Sequence, residues 1–165
     1  MPFNLSRRAA IFSGVAAGAL VVTPQVALAQ TTHAVQMMNR DPEDRKRLQV
    51  FVPRILVVEP GDTVNFVSVD KSHNSASVDG MIPDDTEEWN GRVSQDIAVT
   101  FDKPGFYGYQ CTPHSTLGMV GLVIVKGDGM MDNLEAAQSV RQRGKAKQAW
   151  EEIWAEVEEM GDLTA

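Results

Sequence analysis

Between Val35 and Val125 the apolar positions come in short runs separated by turn-forming residues. Val35–Met38, Leu48–Phe51, Ile55–Val58, Thr63–Val69, Ile97–Phe101, Phe106–Cys111 and Leu122–Val125 are rich in β-branched or other apolar side chains and read as strands. Strict alternation in Thr63-Val64-Asn65-Phe66-Val67, and again across Asp96–Phe101, fits strands with one buried face. Glu59-Pro60-Gly61-Asp62 and Asp102-Lys103-Pro104-Gly105 carry the Pro and Gly of turns. Seven or eight short strands in about 95 residues predict an all-β domain, a Greek-key β-sandwich. Residues 79–94 are less regular and hold Asp84, Asp85, Glu87 and Glu88; they predict a solvated loop with room for a helical turn.

After Gly127 the period lengthens. Asp132 stands three residues before Glu135, a capping pair ahead of Leu134, Ala137 and Val140, and Gly144 is placed to end or bend that helix. Ala149, Trp150, Ile153, Trp154 and Val157 then fall on one face of a second helix, with Glu and Lys on the other. The stripe predicts a helix packed on the outside of the sandwich. The expected division is a β-domain over 30–127 and a C-terminal helical extension over 128–165.

Residues 1–29 read differently. Arg7 and Arg8 precede a 14-residue apolar run, Ala9–Val22, and Ala27-Leu28-Ala29 fits a small-residue cleavage site. The run is shorter than the ~20 residues needed to span a bilayer. A cleavable signal peptide is therefore expected, with periplasmic delivery and no membrane anchor after cleavage; Arg7-Arg8 is compatible with either general or twin-arginine export.

Cleavage would leave 13 basic and 22 acidic side chains, a net charge of −9. That balance argues against general nucleic-acid binding. The single cysteine excludes a disulfide framework and any Cys-rich cluster, yet an unpaired thiol in an oxidising compartment needs burial or ligation.

Cys111-Thr112-Pro113-His114-Ser115-Thr116-Leu117-Gly118-Met119 supplies such a role. Its C-x2-H-x4-M spacing puts a thiolate, an imidazole and a thioether in one short loop between two predicted strands. His73 follows an earlier strand, and loops of a sandwich cluster at the ends of its sheets. Two imidazoles, a thiolate and a thioether are a soft set that suits copper; His2Cys with a weak axial Met is an electron-transfer copper site. Zinc could use the same ligands but has no redox chemistry. Singly, each residue has a plainer reading as core filler or turn residue, and the joint spacing is what outweighs them. A Cys111–His114 nucleophile pair leaves Met119 unexplained and has no evident orienting group. His33 precedes the first predicted strand and is expected not to ligate.

CTPHSTLGMVGLVIV (111–125), DKSHN (70–74) and VEPGDTVNF (58–66) resemble the pseudoazurins, small type 1 copper proteins of the cupredoxin family. The resemblance covers essentially the whole chain after residue 29, and the two C-terminal helices favour it over the plastocyanins, which share the ligand spacing. It implies one copper per chain, ligated by His73, Cys111, His114 and Met119. It implies that the Asn74 side chain ties the His73 loop to Thr112 and that the Asn74 N–H points at the Cys111 sulfur. It also implies an electron port at the ring edge of His114, in an apolar patch of Pro113, Leu117, Gly118 and Pro53 that extends to Ile82 and Pro83. The implied function is electron transfer without bond chemistry, by a monomer docking transiently on redox partners, with nitrite reductase or a c-type cytochrome as candidates. A copper storage or delivery protein is the alternative. Arg40, Lys71 and Arg92 keep basic positions around the patch, whereas Gln110 and Asn90 stand where the family commonly has Lys, Gln49 where Met is usual, and Ser115 where an aromatic residue is usual.

Overall fold

The computed structural model describes residues 30–161, so the expected signal peptide lies outside the described residues. Eight strands form two four-stranded sheets. The first contains, in spatial order, β2 (Leu48–Val52), β1 (Thr32–Arg40), β4 (Asp62–Ser68) and β6 (Ile97–Phe101); the second contains β3 (Ile55–Val58), β8 (Val120–Val125), β7 (Gly105–Gln110) and β5 (Ala76–Ser77). β1 runs parallel to β4 and β3 parallel to β8, while every other pairing is antiparallel. All seven predicted strands are present; the eighth, β5, is a two-residue strand with too few positions to show a period. His33 lies inside β1, not before it, opposite Val64.

Alternation decides what enters the sandwich. Val35 and Met37 of β1, Val64 and Phe66 of β4, and Tyr107 and Tyr109 of β7 are buried in one cluster. Tyr109 makes edge contacts with Phe51 at 4.8 Å and Phe66 at 5.0 Å between ring centroids. It stands opposite Gly121, where a Cβ would lie 2.4 Å from the phenol, so only glycine leaves room for that ring. Thr63 and Asn65 of β4 stay half-exposed on the outer face.

β8 has no polar alternation because both its faces are covered. One face meets the sandwich core; the other meets a short 3-10 turn (Met130–Asn133), α1 (Leu134–Ser139) and α2 (Lys145–Glu159). Ala146, Trp150, Ile153 and Val157 of α2 are buried in one cluster with Phe106, Leu122 and Ile124. Burial of Ile153 alone is worth roughly 2–3 kcal/mol against exposure. Arg54, between β2 and β3, fastens the same helix by ion pairs to Glu152 (3.0 Å) and Glu156. Asn133 bonds the β7 backbone at Phe106 through both ends of its amide, at 3.0 and 2.8 Å.

Three expectations are corrected here. The Asp132–Glu135 pair forms no side-chain cap, since Asn133 immediately precedes α1 and turns its amide toward β7. Gly144 does not end the first helix, which stops at Ser139; it precedes α2 with φ of +60°, and a Cβ there would approach the Thr116 carbonyl oxygen to 2.6 Å. The 79–94 loop contains no helical turn, and it is not wholly solvated, because Met81, Pro83 and Trp89 are buried anchors between exposed acidic residues.

Candidate metal centre

Three loops meet at one end of the sandwich. His73 follows β4, Cys111 follows β7, and His114 stands at the entry of a 3-10 turn (Ser115–Leu117) leading to β8. Antiparallel pairing of β7 and β8 fixes the ends of the Cys111–Met119 loop. Within it, the Cys111 N–H donates to the Met119 carbonyl at 3.0 Å, the His114 N–H to the Cys111 carbonyl at 3.0 Å, and the Met119 N–H to the His114 carbonyl at 3.2 Å. Gly118 closes the 3-10 turn in a left-handed conformation, φ +94°.

This folding brings Nδ1 of His73, Nδ1 of His114 and Sγ of Cys111 face to face. The two nitrogens are 3.2 Å apart, and they lie 3.7 Å (His73) and 3.4 Å (His114) from the sulfur. A point equidistant from the three donors lies about 2 Å from each, close to the bond lengths of imidazole and thiolate to a first-row metal. His73 and Cys111 are fully buried, and His114 is half-buried. Burial pushes the Cys111 thiol up from its usual value; the backbone N–H groups of Asn74 and His114 pull the other way. Burial, helped by neighbouring His114, pushes the His73 imidazole down. The centre thus favours a neutral imidazole and needs a cation to keep its sulfur ionised. Met119 is buried in the cluster that includes Cys111 and Tyr109, with its backbone bonded to both Cys111 and His114.

The surrounding bonds orient these donors. Asn74 Oδ1 accepts the Thr112 N–H at 2.8 Å, and its Nδ2 donates to the Gly91 carbonyl at 2.9 Å and to Thr112 Oγ1 at 3.1 Å. The expected tie between the His73 and Cys111 loops is therefore present. Asn39 was not anticipated: its Oδ1 accepts from His73 Nε2 at 3.0 Å, which places the ring proton there and leaves Nδ1 bare toward the centre. Parallel pairing of β1 with β4 sets Asn39 beside Asp70, whose carboxylate accepts the Asn39 N–H at 2.7 Å. A sequence pattern cannot foresee that parallel neighbour; the only hint is a polar residue closing an otherwise apolar stretch.

His33 lies at the other end of β1, six residues from Asn39 and so about 20 Å along the strand. Its Nε2 pairs with Asp62 Oδ2 at 2.8 Å. That pair, with the Thr31 N–H at 2.8 Å, holds the Asp62 carboxyl below its usual range. Pro113 and Leu117 flank His114 and are exposed. Pro83, by contrast, packs on Gly105 at the far end of β7, and Ile82 packs against the sandwich core. These two therefore do not belong to the patch around His114.

Fold and donor set together define a cupredoxin. The model of the family described as copper binding proteins, plastocyanin/azurin family, matches residues 35–126. The pseudoazurin of Methylorubrum extorquens is 37% identical over 140 residues, 85% of this chain and 91% of that protein. The pseudoazurin of Paracoccus pantotrophus is 38% identical over 126 residues, 76% and 83% of the two chains. A solved Sinorhizobium pseudoazurin superposes with a TM-score of 0.74 at 41% identity, covering 80% of this chain and all of that one. The chain belongs to the copper-binding plastocyanin/azurin family and, within it, to the pseudoazurins. Copper is its metal and electron transfer its class of activity; it is a carrier and not an enzyme.

Proposed function

We propose that the chain, once freed of residues 1–29, works in the periplasm as a monomeric blue-copper carrier in which His73, Cys111, His114 and Met119 would hold the metal. The observation that carries the reading is the convergence of Cys111 Sγ, His73 Nδ1 and His114 Nδ1 within 3.2–3.7 Å of one another. Bound copper supplies a Cu(I)/Cu(II) couple that holds and releases one electron. The chain's own residues do the rest. Asn39 fixes the His73 ring, Asn74 locks the two loops, and the Asn74 and His114 N–H groups support negative charge on the sulfur. A pre-set, buried donor set limits rearrangement when the charge changes. The same burial disfavours storage or delivery, which requires easy surrender of the metal.

His114 is the proposed port, since it is the half-exposed member of the set. Exposed Pro113 and Leu117 give a small apolar contact of the kind that transient redox encounters use. Arg40, Lys71 and Arg92 are exposed, each within two residues of Asn39, His73 or Gly91. A basic rim on an otherwise acidic molecule orients it toward an acidic partner. A respiratory reductase, with nitrite reductase first, is the proposed acceptor, and a c-type cytochrome is a second candidate.

The test is the visible spectrum with one equivalent of Cu(II), before and after ascorbate. A strong thiolate-to-copper band that bleaches and returns on reoxidation is expected. Absence of the band with Cu(II) bound would overturn the ligand assignment.

A further inference from the structure

The sandwich has a second feature that the copper centre does not use. β6 is an edge strand: it pairs with β4 on one side, and among the described residues no turn or loop backbone bonds to Ala98, Val99 or Thr100. Beside it lies a cleft of about 540 Å³. All five consecutive residues of β6, Ile97–Phe101, line the cleft, the more buried and the more exposed positions alike, as expected of a cleft along the free edge and not over one face. Its opposite wall is Asp85–Trp89, with Asp102 and Tyr107 closing it. No residue of the Cys111–Met119 loop contributes.

Charge and shape narrow what fits there. Asp85, Glu87, Glu88 and Asp102 are exposed on the rim. Lys103 is the single basic lining residue, and its Nζ is engaged by the Asp84 carbonyl at 2.6 Å. Ile97, Val99, Phe101 and Trp89 supply apolar walls. An open row of backbone donors and acceptors, apolar walls and an acidic rim are the requirements for adding a strand whose side chains alternate apolar and basic. A second copy of this chain is disfavoured, because β6-to-β6 pairing would set two acidic rims against each other.

We infer that the β6 cleft is a docking site for an extended, lysine- or arginine-bearing segment of a partner protein, bound by strand addition and independent of the copper port. Five residues of β6 offer an edge of about 17 Å, enough for a segment of five or six residues. Recognition combines backbone pairing for affinity with the carboxylate rim for selection of charge.

The experiment uses the copper-loaded protein held reduced with ascorbate, and a blocked eight-residue peptide of alternating Lys and Val. Residue-resolved amide exchange is measured along 97–101, with Trp89 emission as a second readout. Binding is expected to slow exchange of alternate β6 amides by about tenfold or more, the signature of a new ladder. Replacing the valines by prolines keeps the charge but removes backbone donors, and should weaken binding about tenfold. The Glu87→Gln/Glu88→Gln double variant should bind about threefold more weakly at low salt and lose that difference at high salt. Equal binding by the proline peptide would reduce the cleft to a charged surface and overturn the inference. So would unchanged β6 exchange at saturation, or β6 protection that grows with protein concentration in the absence of peptide, which would assign the edge to a second copy.

Discussion

The loop 70–75 and the loop 111–119 meet at the same centre but are held in opposite ways. The first is tied to distant parts of the chain: the His73 carbonyl accepts from Ser94 at 2.7 Å, the Asp70 N–H donates to Met37 at 3.1 Å, and the His73 ring is pinned by Asn39. Its residues His73, Asn74 and Ser75 are buried. The second is tied mainly to itself, by bonds between Cys111, His114, Ser115, Leu117, Gly118 and Met119, and Leu117 is 52% exposed at its tip. One loop therefore seals and aims the centre, while the other completes it and carries it to the surface. A carrier needs both properties, and here they are divided between loops joined through the amide of Asn74.

That division can be broken from either side. The largest effect is expected for Cys111→Ser, which should abolish the intense visible band in spectra of the Cu(II) protein while leaving the fold intact by circular dichroism. Asn74→Ala cuts the join and leaves the Thr112 N–H and the Gly91 carbonyl without their partner; urea denaturation should show a loss of about 2–3 kcal/mol. Asn39→Ala acts only on the sealed side, freeing the His73 ring, and competition titration with a Cu(I) chelator should show affinity lowered about 10–100-fold. Met119→Gln acts only on the surface loop: copper stays bound, and voltammetry should register a shifted potential, as expected of a weak axial ligand. Lys71→Glu should have the smallest effect, slowing association with an acidic partner a few-fold in stopped-flow at low salt and not at high salt, where the Debye length contracts to about 3 Å.

The same contrast explains what could be read from the sequence. The self-tied loop is legible because its bonds span few residues: the C-x2-H-x4-M spacing already contains the geometry that sets Cys111 against His114. Strands with clean alternation, such as β4, are legible for the same reason. Asn39 was invisible because its role comes from parallel pairing with β4, which places residues about thirty positions apart side by side. The boundary at Gly144 is not legible in the sequence because a glycine reads equally as the end of one helix or the entry of the next; what decides it is the Thr116 carbonyl, which arrives from another part of the chain. The place of Ile82 and Pro83 is illegible for a similar reason, since nothing local says that their loop runs down the flank toward Gly105.

The packing of α2 on the ligand loop has a consequence for the order in which the molecule can be completed. All four proposed donors have been synthesised by residue 119, yet Gly118 rests on Lys145 and Ala149, and Thr116 faces Gly144. A nascent chain halted after β8 would own every ligand and lack the support beneath their loop. A chain truncated before α2 is therefore expected to be a poorer competitor for metal than the full one, although it lacks none of the donors.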